Sequence, residues 1–327
     1  MYIKQYLADS LSSDRPNSDA WADSCGAAGR RSQVRSHGVR PTIQSGKFHR
    51  NAVVKTQAQK QFDIVRVSSA GCQSLPDSIA VEDALEIRLS HPALGEGART
   101  LAISMRTPGH DAELVAGYLH GEAVLSDPAQ IVQIGACAGN PNAVRIDLDG
   151  PAPNLDSLQR AGTMNSSCGV CGKTSLEAVT ASSQSRRVSG SKRVDATVLR
   201  RLPQSLRAAQ SLFAATGGCH GVGLFDLEGQ LLALREDVGR HNALDKLVGQ
   251  AFLARTLPWT DQVLLLSGRA SFELLQKATM AGASIVAAVG APSSLAIEQA
   301  RAAGITLIGF LGEHGFNIYS GAERVIA

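Results

Sequence analysis

The chain has 327 residues, of which 44% are hydrophobic, and its formal net charge is +3. A chain of this length and composition can bury a substantial core, and it contains no apolar run near the ~20 residues that a membrane-spanning helix needs. We therefore expect a globular cytoplasmic protein with neither a membrane span nor a secretory signal. Its six cysteines are too sparse for a disulfide framework, so they should be free thiols.

The positive charge is concentrated at the N-terminus. Residues 1–60 contain 10 Lys and Arg against 4 Asp, whereas the rest of the chain has 22 basic and 25 acidic residues. A basic, Ser-rich stretch cannot bury enough apolar surface to fold, which predicts a disordered leader over 1–60. The remainder is slightly acidic, and the chain is only 4% aromatic, which argues against nucleic-acid binding.

Residues 61–160 are predicted to form a small α+β subdomain. Alternation of apolar and polar residues predicts strands at 64–67, 84–89, 99–105, 131–134 and 144–148. Between the third and fourth strands, the turn Pro108-Gly109 precedes Asp111, which is expected to cap a helix over 112–124.

Residues 161–192 are predicted to be a mobile loop and a hinge. The stretch NSSCGVCGK contains Cys168 and Cys171 between Ser and Gly residues, which disfavour a regular helix or strand. A polar segment, SSQSRRVSGSK at 182–192, follows as the hinge.

The two thiols of this loop have several possible uses. A structural zinc site usually needs a second pair of ligands, and the one other Cys/His couple, Cys219-His220, would point to opposite faces of a strand, so zinc is disfavoured. A thioredoxin-like dithiol requires a helix N-terminus, which the glycines disfavour. A thiol arm that accepts and passes on sulfur, activated in part by Lys173, fits best, although two unreactive cysteines remain an alternative.

Residues 193–327 are predicted to form an α/β domain that binds a nucleotide. The pattern predicts a helix over 202–214 and a hairpin of strands 222–227 and 230–234. Helices and strands then alternate, with helices at 241–253, 271–281 and 295–303 and strands at 263–266, 285–289 and 305–310. This alternation predicts βαβ units and a parallel layer covered on both faces.

Ligands of open α/β sheets collect at the carboxyl ends of the strands, where three junctions are candidates. In the first, REDVGRHN at 235–242, the Arg240 guanidinium could bind phosphate. Equally, Asp237 could cap the helix while Arg240 pairs with Glu236.

The other two junctions are rich in glycine. Ser267, Gly268 and Arg269 begin a strand-to-helix turn whose amides suit a phosphate, although such turns often contain Ser and Gly for local reasons. The late loop could hold a planar base, or it could be a plain surface turn; its residues are Phe310, Leu311, Gly312, Glu313, His314 and Gly315.

Five motifs in order resemble the formate dehydrogenase accessory sulfurtransferase family, of the FdhD/NarQ type. They are RTPGHD at 106–111, SSCGVCG at 166–172, EDVGRHNALDK at 236–246, SGRASFELLQKA at 267–278 and FNIYSGAERV at 316–325. The resemblance covers roughly residues 62–325 and leaves out the leader. One departure is Ala123, where the family pattern has Gly.

The resemblance implies a homodimer with a cytidine-deaminase-like three-layer α/β core and a guanine-nucleotide site in the late loop. It also implies that Cys168 receives a persulfide sulfur from a cysteine desulfurase. The sulfur then goes to the molybdenum (or tungsten) bis-guanine-dinucleotide cofactor before its insertion into apo formate dehydrogenase, and Cys171 would help to release it. The alternative is a non-catalytic cofactor chaperone whose CxxC binds zinc or a partner.

The deaminase signature for a catalytic zinc is absent from the sequence. Zinc deaminases need H-x-E and P-C-x-x-C at helix starts. Here 241–243 lacks the Glu, and 267–271 lacks both cysteines. No metal of the protein's own is therefore expected.

Overall fold

The N-terminal part of the fold combines a hairpin, a four-stranded sheet and one helix. The computed structural model describes residues 57–153, 155 and 187–327. Strands β1 (Gln59–Ser68) and β2 (Gly71–Ala80) form an antiparallel hairpin. The sheet has the order β4-β3-β6-β5 and consists of β3 (Asp83–Ser90), β4 (Arg99–Arg106), β5 (Ile131–Cys137) and β6 (Asn140–Leu148).

Helix α1 (Asp111–Gly121) covers one face of this four-stranded sheet. Leu85, Ile87 and Leu89 alternate along β3 and are fully buried. They share a hydrophobic cluster with the apolar residues of α1, as a strand with one buried face requires.

A six-stranded sheet with the order β13-β12-β11-β10-β8-β9 forms the larger part of the fold. Its strands are β8 (His220–Phe225), β9 (Leu231–Asp237), β10 (Val263–Leu266), β11 (Ile285–Ala288), β12 (Thr306–Gly312) and β13 (Gly315–Ser320). The short strands β7 (Val194–Asp195) and β14 (Val325–Ile326) pair beside it.

Helices cover both faces of the six-stranded sheet. They are α2 (Ala196–Ala209), α3 (Ser211–Thr216), α4 (Arg240–Leu253), α5 (Phe272–Met280) and α6 (Ser294–Ala303). On β10, Leu264 and Leu266 pack with α4, α5 and α6, whereas Val263 and Leu265 pack with α2. The predicted α/β class, a three-layer core with a smaller α+β part, is confirmed.

The two parts of the fold meet where α1 crosses α4. A Cβ added at Gly117 would overlap the backbone carbonyl of Asp245, and one added at Gly249 would overlap that of Glu113. Two glycines therefore bring the helix backbones into direct contact.

None of the helices in the described residues is both long enough and apolar enough to cross a membrane.

Two local predictions were wrong in detail, and one strand was missed. His110, in a left-handed conformation at φ 58°, is the N-cap of α1, because Asp111 lies in the first turn and binds Arg106 instead. The helix predicted over 202–214 is two helices that meet at Gln210. The strand β2 was missed because its sequence, GCQSLPDSIA, is polar and contains a proline.

Candidate functional site

The topology brings the three candidate junctions to one edge of the six-stranded sheet. Strands β10, β11 and β12 are parallel, and β9 has the same direction because both it and β10 are antiparallel to β8. Their carboxyl ends therefore lie along one edge, beside the amino end of β8 at His220. We call this the carboxyl edge; it comprises 237–241, 267–271, 289–293, 310–315 and His220.

Backbone hydrogen bonds hold the turns of the carboxyl edge together. Gly290 N donates to Gly268 O at 3.0 Å, and Phe310 N donates to Gly290 O at 3.1 Å. A Cβ at Gly290 would lie 3.1 Å from three atoms of Arg269, so glycine is needed for this close approach. The turns after three neighbouring strands thus form one connected surface.

Ser267 has a structural use within this surface. Its Oγ accepts a hydrogen bond from Gly221 N at 3.0 Å, and its own N–H donates to Gly221 O at 3.0 Å. The Ser267 hydroxyl thereby fixes the start of the turn against β8. Gly268 lies against His220, since a Cβ there would be 3.3 Å from the His220 Nδ1.

The carboxyl edge has two arginines, of which Arg269 is exposed and Arg240 is partly buried. The Arg240 guanidinium is the one held within the edge. Its Nε is buried and has no hydrogen-bond partner among the described residues. Burial lowers the pKa of the half-buried His220, and the nearby charges of Arg240 and His241 lower it further. A partly buried guanidinium beside a neutral imidazole is suited to binding an anion such as phosphate.

His241 belongs to a second polar group at this edge. Its Nε2 lies 2.9 Å from a carboxylate oxygen of Glu273 and 3.4 Å from the hydroxyl of Ser271. The carboxylate can only accept, which places the proton of this pair on Nε2. Because both contacts are made by the same ring nitrogen, the three residues are not arranged as a Ser-His-acid triad.

The residues of the late loop differ in how exposed they are. Phe310 is in the left-handed region at φ 53° with 54% of its surface exposed, whereas Leu311 is buried in the core beneath α2. Gly312 and Gly315 pair with each other across the turn between β12 and β13, and a Cβ at either would meet nothing within 4 Å, so the turn is uncrowded. Leu311 can therefore offer a ligand only its backbone.

The exposed polar residues of the late loop lie at its tip. Glu313 and His314 are both exposed. Glu313 also borders a concavity of about 560 Å³ on the α2 side of the sheet, lined in part by Arg200 and Arg201. The tip of the late loop is thus adjacent to helix α2.

The acidic residues that precede Arg240 have partners other than those considered from the sequence. Glu236 accepts hydrogen bonds from Leu212 N and Phe213 N at 3.0 and 2.9 Å rather than pairing with Arg240. Asp237 accepts from Gly239 N at 2.8 Å, but the residue at the N-cap of α4 is Gly239. Neither acid forms an ion pair with Arg240, and no other acid of the described ranges does.

A family comparison now decides the identity of the chain. The FdhD/NarQ family model matches residues 80–326, more than half of the chain. The chain belongs to the FdhD/NarQ family.

Similar proteins agree with this family. The chain is 44% identical over 269 residues to "Sulfur carrier protein FdhD" of Nocardia farcinica, covering 80% of this chain and 93% of that protein. It is 39% identical over 253 residues to the protein of the same name from Picrophilus torridus, covering 77% and 93%. The crystal structure of a proposed formate dehydrogenase accessory protein from Desulfotalea psychrophila is similar in fold, with a TM-score of 0.64, 21% identity, and coverage of 83% of this chain and all of that chain.

Among the described residues of this FdhD/NarQ family member, Cys219 is the cysteine that the sequence offered, with His220, as a possible zinc ligand. Cys168 and Cys171 lie outside the described residues. Cys219 is buried, its Sγ is 3.4 Å from Glu236, and burial with the nearby carboxylate raises the pKa of its thiol to about 12. Because metal ligation requires the thiolate, Cys219 is poorly suited to it.

A buried network was missed in the sequence. Asp237 accepts hydrogen bonds from Thr107 N at 3.0 Å and Lys246 Nζ at 2.6 Å, and Lys246 also donates to Thr107 O at 2.8 Å. Asn242 donates to Met105 O at 2.7 Å. Much of the EDVGRHNALDK motif therefore joins the sheet to the segment before α1. The sequence offered one indication of this network. Neither of the polar motifs at 106–111 and 236–246 is explained by the helix or strand in which it lies, so a contact between the two was a possible explanation.

Proposed function

We propose that this FdhD/NarQ family member is a sulfurtransferase that serves formate dehydrogenase. Cys168 accepts a sulfur atom from a cysteine desulfurase and delivers it to the bis-guanine-dinucleotide cofactor of molybdenum or tungsten. The proposal is supported by the similarity to proteins named sulfur carriers over most of the chain. The observation that carries it is the carboxyl edge, where Arg240 and two glycine-rich turns meet the late loop.

The carboxyl edge is suited to hold the dinucleotide, which is the substrate of this reaction. Arg240 and the backbone amides of 268, 269 and 271 would bind phosphate, as cations and N–H groups at the start of a helix do, whereas Ala270 N donates to Ala291 O at 3.2 Å. The uncrowded turn at Gly312 and Gly315, with Phe310 exposed beside it, would receive the base. We expect GDP to bind more tightly than ADP in isothermal titration calorimetry, and equal affinities would remove the assignment of guanine.

The sulfur step is a thiol exchange. The Cys168 thiolate attacks the terminal sulfur of the donor persulfide; a new S–S bond forms, and the donor cysteine leaves as its thiolate. In the release step, the Cys171 thiolate attacks the Cys168 sulfur, which forms a disulfide and expels hydrosulfide toward the cofactor metal. The protein would work as a cytoplasmic homodimer that also binds apo formate dehydrogenase.

Peptide mass spectrometry tests the carrier role directly. The full chain is incubated with cysteine and a cysteine desulfurase, alkylated and digested. One added sulfur on Cys168 that dithiothreitol removes is expected, with none in Cys168→Ala and a retained adduct in Cys171→Ala. An unmodified Cys168, with the desulfurase active on another acceptor, would refute the carrier role.

Metal analysis addresses the alternative function. One zinc per chain that is lost in Cys168→Ala would instead support a cofactor chaperone. Cys168→Ala is also expected to fold normally and to abolish activation of formate dehydrogenase. Normal activation by that variant would exclude the proposed function.

A further inference from the structure

Helix α2 lies in a strongly basic stretch, whereas the chain that follows it is slightly acidic. Residues 187–207 contain six Lys and Arg and one acidic residue, whereas residues 208–327 contain eight basic and ten acidic residues. All six basic side chains of the stretch are exposed. Such an imbalance creates a local positive potential at the surface of the protein.

The amphipathic pattern of α2 directs part of this charge outward. Leu199, Leu202 and Leu206 are buried against the sheet. The residues between them form an exposed polar stripe, which we call the α2 basic face: Arg200, Arg201, Gln204 and Arg207. The spacing of three and four residues keeps these side chains on one side of the helix.

No described acid forms an ion pair with the α2 basic face. Hydrogen bonds from Thr197 lower the pKa of the exposed Asp195, and the charges of Arg200 and Arg201 lower it further. Among the ion pairs of the described residues, none involves Arg200, Arg201 or Arg207. The carboxylate of Asp195 accepts hydrogen bonds from the Thr197 N–H and hydroxyl as the N-cap of α2. The guanidinium groups are therefore available to an external acid.

Two of these arginines are nevertheless held in place. Arg207 stacks on the ring of Phe213, with its guanidinium carbon 3.6 Å from the ring centroid. Arg201 Nε donates to Thr197 O at 3.2 Å. Side chains that are already ordered lose less entropy when a partner binds.

The α2 basic face lies beside the late loop. Arg200 and Arg201 line the concavity of about 560 Å³ that Glu313 of the late loop borders. In the sequence, α2 follows the stretch that contains Cys168 and Cys171. A protein docked here would lie beside the carboxyl edge without covering all of it.

We propose that the α2 basic face is the docking surface for the protein that donates sulfur, and that it binds an acidic patch on that protein. This inference rests on the proposed function. The donor is favoured over the dehydrogenase as the partner. The dehydrogenase receives the cofactor and so has to approach the carboxyl edge itself. A donor has to bind while the cofactor occupies that edge, which a site beside the edge allows. A nucleic acid is disfavoured because Arg207 already covers Phe213, the ring beside the face on which a base could stack.

The test separates docking from sulfur transfer. Binding of the full chain to the cysteine desulfurase is measured by biolayer interferometry in a Cys168→Ala background, in which no sulfur can be accepted. The charge-reversal variant is Arg200→Glu with Arg201→Glu. The matched control is Arg66→Glu with Arg99→Glu, which makes the same change of charge at two other exposed arginines.

We expect the α2 variant to weaken binding about tenfold or more at low salt, chiefly through a slower association rate, and the control to bind as the parent does. Parent binding should weaken as salt rises from about 0.02 to about 0.5 M, and the α2 variant should lose most of this dependence. In the Cys168 chain, the KM for loading by the desulfurase should rise while kcat is retained.

Three results would overturn the inference. The first is unchanged binding by the α2 variant, and the second is equal loss in the α2 variant and the control. The third is a variant that still binds the desulfurase but loses affinity for a ten-nucleotide RNA. Circular dichroism of each variant checks that it is folded. Failure of Cys168 loading with docking intact would refute the proposed function alone.

Discussion

Loss of the Asp237 carboxylate should severely destabilise the fold. Asp237 is fully buried, and its carboxylate lies 2.6 Å from Lys246 Nζ. The Lys246 side chain is only 1% exposed. In Asp237→Ala the Lys246 ammonium stays buried, with Thr107 O at 2.8 Å as its remaining hydrogen-bond partner. Removing one member of a buried pair costs about 3–5 kcal/mol, because the other charge is left uncompensated.

The size of this loss is large compared with the stability of a typical protein. Total unfolding free energies are about 5–15 kcal/mol, so Asp237→Ala should remove a third or more of a value in the middle of that range. Exchanging both partners, in Asp237→Ala with Lys246→Met, should cost less than the two single losses together. The expected coupling energy is about 1–3 kcal/mol.

Urea unfolding followed by far-UV circular dichroism measures both quantities. The surface pair of Arg145 and Asp147, which is 48% and 26% exposed, provides the control. Asp147→Ala should cost less than about 1 kcal/mol. A loss below about 1 kcal/mol in Asp237→Ala, or additive effects in the double variant, would refute the account of the buried network.

Three other predictions use different measurements. Burial raises the pKa of Glu113, but hydrogen bonds from an arginine and a histidine outweigh it and bring the value from 4.5 to about 2. The stability that the Glu113 charge adds is complete above pH 4.5 and is lost as the pH falls toward 2. Glu113→Gln should therefore make the unfolding free energy depend less on pH in that range. An unchanged pH dependence would contradict this. Cys219, with a thiol pKa raised to about 12, should be alkylated far more slowly at about pH 8 than the exposed Cys72, and equal rates by mass spectrometry would show that Cys219 is accessible. Gly117→Ala should lower the unfolding free energy by about 1–3 kcal/mol or more, because a Cβ overlaps the backbone of α4, while Gly135→Ala, at an open site, should be tolerated.

Local patterns predicted most of the larger sheet. The strand over 263–266 matches β10 in full, and the helix over 241–253 differs from α4 by one residue. These segments have strong apolar periodicity and clear glycine or polar boundaries, which depend only on neighbours in the chain. The strand β2 was missed because its stability comes from ten pairings with β1 rather than from its own composition.

In the candidate site too, the features set by local sequence could be predicted and those set by distant contacts could not. Its glycines, Arg240 and the late loop could be proposed from the sequence, because strand-to-helix junctions are marked locally. That Arg240 is not paired with Glu236 could not be inferred, since Glu236 instead binds the backbone of residues 212 and 213. Whether a charge near a site is free depends on competing partners that lie far away in sequence.

The sequence by itself determined the α/β class, the family motifs and the pair Cys168 and Cys171, because residue type, spacing and order are sufficient for these. Only the tertiary structure decided that Asp237 and Lys246 bind Thr107, 130 and 139 residues away. It also decided that none of the described acids forms an ion pair with Arg200, Arg201 or Arg207. Periodicity reports on one element at a time, whereas the partner of a charged group is fixed by how the elements pack together.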